Sequence, residues 1–441
     1  MIKKSGAFIL ASLLAFGCMA CGSGSSVTTS VSDLPRVSID STVEFGKNST
    51  VGVAETKSET STEASVSVET STETTASTET VNEAQTSTES IDDTNKGDTQ
   101  VDRSRVFDIL SQINIGWNIG NTLDATGGGN TLDAETSWGN PRVTQELIDA
   151  VADKGFNAIR VPVTFANHLG PAPDYTINPE WLGRVKDVVD YCVARNLYII
   201  LDTHHETNYW LKTEPANQDA LCAELAAIWT QLAECFKDYD EKLMFEGMNE
   251  PRKVGSAKEW SGGTREERVV INAMNKAFVD AVRATGGNNS DRVLIICGYG
   301  TSAERDALNE LEIPEDGNIA VAVHMYTPYF FTYIADGSYS NWDGSKKNDI
   351  TGAVKNVEDA LLSKGIPVVV TEMGCQYKEN TEDILRWIAD YMGVMGEKGM
   401  KCFVWDNNIY NGNGEKFGLI SRYTRQWYNE AIVDAYVSHA K

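Results

Sequence analysis

Eight short apolar runs, separated by stretches of helical periodicity, constrain this chain more than any other feature. They lie at Ile113–Ile119, Ala158–Val163, Leu197–Asp202, Leu243–Met248, Val293–Cys297, Ile319–Tyr326, Pro367–Met373 and Cys402–Asp406, about 40 residues apart. Between them, apolar residues recur at helical spacing in Glu146–Ala152, Leu182–Ala194, Leu221–Phe236, Val269–Ala284, Val354–Ser363 and Ile384–Lys398. Several of these segments stop at a residue suited to a left-handed turn: Lys154-Gly155, Arg195-Asn196, Lys364-Gly365 and Lys398-Gly399. Helix, glycine, strand, repeated, is the pattern of parallel βαβ units. Eight units in one chain predict an α/β fold of the (β/α)8 TIM-barrel class over residues 102–441. A doubly wound open sheet is the alternative. It usually carries a glycine-rich phosphate loop after its first strand, and Gly127-Gly128-Gly129 lacks both the strand before it and a Lys-Ser/Thr after it.

The first hundred residues follow different rules. Lys3 and Lys4 precede an apolar run from Ala7 to Gly17, the make-up of an export signal over residues 1–21. Cys18 follows Gly17 and Cys21 follows Ala20, which resembles a bacterial lipobox. Cys21 is the expected lipidated residue, because the polar stretch Gly22–Ser26 starts directly after it; Cys18 is the alternative. Residues 22–101 then hold one aromatic residue, Phe45, and repeat Ser-Thr-Glu at Ser61, Ser71, Ser77 and Ser87. With 14 acidic against 4 basic side chains, this stretch carries −10 and has too little apolar surface to offset chain entropy. It reads as a disordered linker, extended by its own charge, that holds a catalytic unit away from a lipid anchor in the membrane. The expected location is therefore extracellular, at the cell surface or secreted.

The net charge of −25 excludes a nucleic-acid partner, which would require a basic face. It is compatible with a neutral polymer. Six cysteines follow the signal: Cys192, Cys222, Cys235, Cys297, Cys375 and Cys402. Their apolar neighbours predict buried free thiols. Cys222 and Cys235 fall in one helical segment, 13 residues or roughly 20 Å apart, too far for a disulfide. No cysteine spacing resembles a zinc site, and no cofactor is expected.

In a (β/α)8 barrel the chemistry sits where the strands end. Polar residues cluster there. Arg160 lies in the second run, and Asp202-Thr203-His204-His205-Glu206 close the third. Asn249-Glu250-Pro251 end the fourth, His324-Met325-Tyr326 the sixth, Thr371-Glu372-Met373-Gly374 the seventh, and Trp405-Asp406-Asn407-Asn408 the eighth. Three of the five histidines belong to this set. Two glutamates on opposed parts of a barrel rim suit glycosidic cleavage. That reaction needs one acid to protonate the leaving oxygen and one carboxylate on the other side of the ring. A single rim glutamate would more often be a solvated charge.

These residues carry a resemblance. Asn249-Glu250-Pro251, Thr371–Gly374, Ile159-Arg160-Val161-Pro162 and His324-Met325-Tyr326 resemble glycoside hydrolase family 5. Gly116–Ala125 and Trp138-Gly139-Asn140-Pro141 resemble its subfamily 4 bacterial endo-β-1,4-glucanases, and the match runs in order across residues 105–435. The resemblance implies an endo-acting, retaining hydrolase of β-glucan polysaccharide, with Glu250 as acid/base and Glu372 as nucleophile. It also implies supporting roles. Arg160 would pair with Glu372, Tyr326 would donate to Glu372, and His324 would place Tyr326 and Glu250. Asn249 would bond the sugar 2-hydroxyl, and His204 matches the family's strand-end histidine. Glu250 would be protonated and Glu372 ionised before the first step.

Pyranose rings stack on flat aromatic faces. Trp405 is expected to floor the central subsite, with His205 as a wall residue and Trp117, Trp138 and Trp210 as further subsite candidates. Asn118 and Asn407 complete the expected substrate contacts. The stretch Thr327–Lys347 holds six aromatic residues and reads as a specificity loop. The resemblance implies internal β-1,4 bonds of cellulose-like glucans as the target; relatives of this frame also act on xyloglucan, mixed-linkage glucan, xylan or mannan, which are the alternatives. Two other classes remain. One is a metal-dependent hydrolase using His204, His205 and Glu206, disfavoured because adjacent strand residues point to opposite faces. The other is a non-catalytic polysaccharide-binding protein, disfavoured by the presence of both glutamates. A monomer is the default expectation.

Overall fold

The computed structural model describes residues 101–335 and 337–440. The expected export signal 1–21, with Cys18 and Cys21, and linker residues 22–100 lie outside the described residues. Eight parallel strands close a barrel in chain order: β1 (Gly116–Ile119), β2 (Ala158–Val163), β3 (Tyr198–Thr203), β4 (Leu243–Glu246), β5 (Leu294–Ser302), β6 (Ile319–His324), β7 (Val368–Met373) and β8 (Lys401–Asp406). Each strand overlaps one of the eight apolar runs, so the barrel stands and the open-sheet alternative falls. Buried on both faces, as parallel barrel strands are, these runs carry apolar residues almost continuously.

The helices pack one apolar stripe inward. Thr381–Glu397 buries Ile384, Trp387, Ile388, Tyr391, Met392 and Met395, the spacing of a single helix face. The predicted helix stops occur as left-handed residues: φ is +116° at Gly155, +58° at Asn196, +69° at Gly365 and +66° at Gly399. Helix Arg265–Ala284 opens with a capping box, Thr264 Oγ1 accepting from Glu267 N while Glu267 Oε2 accepts from Thr264 N. Helices at Ser104–Ser111, Arg305–Asn309, Tyr329–Thr332 and Glu430–His439 went unpredicted. Arg103 is already buried and donates to Pro314 O at 3.1 Å, so barrel packing begins within two residues of position 101. All six described cysteines are unpaired, and Cys222 and Cys235 share one unbroken helix, Gln218–Cys235. Among the described residues no helix is long and apolar enough to cross a membrane.

Regular pairing breaks at the functional end. Register shifts fall between Cys297 and Ser302 on β5, Val323 and His324 on β6, and Val370 and Met373 on β7. Such irregularities re-aim side chains. Here they bring His324 level with Glu372.

Candidate active site

Arg160 is the centre of the construction. It lies on β2 with no solvent exposure. Its Nε donates to Glu246 Oε2 at 2.7 Å, and Nη2 to Glu246 Oε1 at 3.2 Å. Nη1 donates to Glu372 Oε1 at 2.7 Å and to Asn118 Oδ1 at 3.1 Å; Nη2 reaches Asn249 Oδ1 at 3.0 Å and pairs with Asp202. A buried cation costs several kcal/mol unless its donors are satisfied, and this one is surrounded by three carboxylates. Burial works against its charge, but Asp202, Glu246 and Glu372 outweigh it and raise its pKa well above the ordinary value.

Glu372 is held from both sides. Arg160 takes Oε1, and the Tyr326 hydroxyl donates to Oε2 at 3.0 Å. Glu250 follows β4 by four residues. Its backbone φ is +40°, a conformation that a glutamate rarely adopts and that here turns the side chain into the site. His324 Nδ1 lies 2.9 Å from Glu250 Oε1 and 3.6 Å from Glu372 Oε2. One oxygen of each glutamate and a ring nitrogen of His324 all lie within 4.8 Å of one another. Burial pushes the Glu250 carboxyl up, but the His324 hydrogen bond and the Arg252 guanidinium prevail and bring it to about 2. Burial lowers His324, yet Glu372 and Glu250 together raise it above the ordinary value. Glu250 and His324 thus form one hydrogen-bonded, titrating pair.

His204 is buried past the end of β3, its Nδ1 2.9 Å from Asp202 Oδ2. Burial, reinforced by His205 and Arg160, holds its pKa well below the ordinary value. A neutral ring with Nδ1–H donated to Asp202 leaves Nε2 as an acceptor. The His204 and Trp405 rings are parallel within 4°, 5.6 Å apart. Trp405 lies against Gly120, where a Cβ would meet its indole at 2.6 Å; only glycine permits that approach. Trp138 is 41% exposed, with its ring 5.3 Å from His205, and the two form a lateral wall.

Three expected sugar contacts are corrected. Trp117 and Asn118 are neighbours on β1 and point to opposite faces. Trp117 is fully buried, donating to Asp406 Oδ2 at 2.9 Å beneath the Arg422 guanidinium. Asn118 is also buried, accepting from Arg160 and donating to Thr371 O at 3.0 Å. Asn407 donates to Glu415 O and accepts from Ile409 N, so it shapes its own loop. Trp210 is half-buried, its indole N–H donated to Glu206 Oε2 at 2.6 Å. That bond, with Phe165 N on Oε1, takes Glu206 away from the two histidines, so the set His204, His205 and Glu206 does not assemble. The two histidines do not face apart either. β3 ends at Thr203, and their rings meet edge to face at 4.5 Å, with Asp124 Oδ2 3.6 Å from His205 Nε2.

Sequence reasoning placed Asp202 at a strand end without a role, and missed Glu246, which with Asp202 holds Arg160, and Arg252, whose Nη1 reaches Glu250 Oε2 at 3.3 Å. A lone acid inside the apolar run Leu243–Met248 was the available signal for the second. For the first it was the i, i+2 spacing of Asp202 and His204.

A barrel that brings two glutamates together at the ends of its fourth and seventh strands, in an arginine-anchored cleft with tryptophans beside it, defines a glycoside hydrolase. Residues 123–411 match the family description Cellulase (glycosyl hydrolase family 5). The sequence is 43% identical to Endoglucanase A of Ruminococcus albus over 341 residues, covering 76% of this chain and 92% of that protein. Among solved structures it resembles a xyloglucan-specific endo-β-1,4-glucanase from a metagenomic library, solved with cellotriose. Identity is 73%, the TM-score is 0.76, and the match covers 77% of this chain and all of the other. It also resembles a broad-specificity GH5-4 endoglucanase from Ruminococcus champanellensis, at 39% identity and a TM-score of 0.73, over 75% of this chain and 97% of that one. The chain belongs to glycosyl hydrolase family 5.

Proposed function

We propose that this enzyme cleaves internal β-1,4-glucosidic bonds by double displacement, with a xyloglucan-type β-1,4-glucan as preferred substrate. Its family makes it an endo-acting glycoside hydrolase. The observation that carries the mechanism is the approach of Glu250 and Glu372 to within 4.8 Å, oxygen to oxygen. Retaining pairs stand about 5–5.5 Å apart, whereas inverting pairs leave roughly 6.5–9.5 Å for a water. The substrate preference is supported by the 73% identity to a xyloglucan-specific enzyme.

In the first half-reaction Glu372 Oε1 or Oε2 bonds to the anomeric carbon. The glycosidic C–O bond breaks, and Glu250 gives its proton to the leaving oxygen. In the second, Glu250 takes a proton from water, the water oxygen bonds to the anomeric carbon, and Glu372 leaves as a carboxylate. Arg160 and Tyr326 hold the nucleophile in line. Asn249 turns its Oδ1 to Arg160, which leaves its N–H pair for the sugar 2-hydroxyl. His204 Nε2 accepts from a neighbouring hydroxyl, Trp405 floors the ring, and Trp138 with His205 bounds the next sugar. His324 Nδ1 holds Glu250 Oε1 at 2.9 Å, which leaves Oε2 to face the leaving oxygen. Export through residues 1–21, lipidation at Cys21 and a tether over residues 22–101 belong to the same proposal. Radiolabelled fatty acid that incorporates into Cys21→Ala as into wild type would rule out Cys21.

The test follows viscosity and new reducing ends together on xyloglucan, carboxymethylcellulose and mannan, with NMR of the first product anomers. Steep viscosity loss on xyloglucan with initial β-anomers is expected. Initial α-anomers would overturn double displacement. Faster attack on carboxymethylcellulose would move the substrate to unbranched glucan. Silence on all three would restore the non-catalytic binding protein.

A further inference from the structure

The two carboxylate oxygens of Glu250 meet different neighbours. Oε1 faces His324 Nδ1 at 2.9 Å; Oε2 faces Arg252 Nη1 at 3.3 Å. That nitrogen also donates to the backbone oxygen of Glu250 at 3.0 Å, closing a small ring over Pro251. The far side of the guanidinium is equally well held. Nε donates to Glu259 Oε1 at 3.1 Å, and Glu259 Oε2 is fixed by Gly255 N at 2.7 Å. The Trp260 ring lies 4.2 Å from the guanidinium carbon while its indole is 54% exposed. The turn itself is pinned to β5, by Glu250 N on Thr301 Oγ1 and Gly300 N on Pro251 O.

A departing glycosidic oxygen must be met by an oxygen of Glu250 that is free to face it. Oε1 is committed to His324, which leaves Oε2. The Arg252 contact on Oε2 is longer than the 2.7–2.9 Å usual for charge-assisted bonds, so it can yield to substrate. We propose that Arg252 is a positioning residue of this reaction: it aims Oε2 of Glu250 into the cleft and occupies that oxygen until the leaving-group side of the substrate takes its place. Glu259 and Trp260 keep the guanidinium at hand for its return. In the second half-reaction Glu250 regains a proton from water, which restores the acid for the next turnover, and the guanidinium returns to Oε2 once the product has left. This inference rests on the acid/base role of Glu250.

The sign of the effect follows from charge. A guanidinium favours the carboxylate, so its removal raises the proton affinity of Glu250. The other titratable groups that face Glu250 are His324 on β6, Glu372 on β7, His204 past β3, Glu415 past β8, and the phenols Tyr326 and Tyr333. All of them remain when Arg252 is changed.

The experiment is the pH profile of kcat/KM on xyloglucan, measured with the full chain, which reads the free enzyme. Arg252→Met should move the basic limb up by roughly one pH unit. Arg252→Lys, which keeps the charge, should recover at least half of that shift. Trp260→Ala, which loosens the guanidinium, should move the limb in the same direction by less. A basic limb for Arg252→Met that overlays the wild-type limb overturns the proposal. If that variant shows no cooperative unfolding transition, Trp260→Ala decides, and an overlay there overturns it equally. Failure of the underlying reading looks different: Glu250→Gln would then keep both the wild-type rate and the wild-type basic limb.

Discussion

Glu372 and Glu250 face each other, yet they are built on opposite plans. Glu372 lies inside β7, its side chain 8% exposed, between an arginine from β2 and a tyrosine just past β6. Glu250 lies four residues past β4, 21% exposed and in a left-handed backbone conformation, and one of its partners comes from its own loop. The difference fits the two roles proposed for them. A nucleophile has to be held in one position and ionised when substrate arrives, which a strand and a buried cation secure. A proton carrier has to change charge twice per turnover and exchange with solvent, which a strand interior would prevent. The Arg160 cage supplies the first need, and the paired His324 and Arg252 contacts supply the second.

Substitutions can break this contrast, beginning with the largest effect. Glu372→Gln should lower the rate on the order of 10^4-fold or more on polymer and on aryl cellobiosides alike, measured as initial rates, because no bond to the anomeric carbon can form. Glu250→Ala should cost about 10^2–10^4-fold on polymer. On aryl cellobiosides whose leaving group departs without a proton, its first step should be nearly spared; equal losses on both substrates would erase the distinction. The two arginines should separate next, in urea unfolding. Arg160→Met leaves Glu372, Glu246 and Asp202 without their common cation and should cost about 3–5 kcal/mol of stability. Arg252→Met, at the rim, should cost about 1 kcal/mol or less. Tyr326→Phe removes one hydrogen bond to a charged acceptor and should lower kcat about 10–100-fold with the fold intact.

The same division marks what could be read from the sequence. The barrel was legible because its strands are buried on both faces, so each reads as an apolar run, and because Gly155, Asn196, Gly365 and Gly399 mark helix ends. Both glutamates were legible because strand ends concentrate polar residues. Side-chain direction was not. Trp117 and Asn118 sit in a recognisable motif, but alternation along β1 sends the indole into the core and the amide under Arg160. Asn407 looked like a cleft residue and instead ties its own loop. His204 and His205 were expected to diverge as strand neighbours, and the strand ends one residue before them. The pairing of Glu250 with His324 and Arg252 was beyond sequence, since it depends on a guanidinium and an imidazole converging from different elements.

The central claim is that Glu372 bonds to the sugar while Glu250 only handles protons. Incubation with an activated 2-deoxy-2-fluoro cellobioside slows release of the glycosyl-enzyme, and peptide mass spectrometry then locates the adduct. A single adduct on Glu372 is the expected result. An adduct on Glu250, or an unlabelled enzyme that still consumes the reagent with inversion, would contradict it.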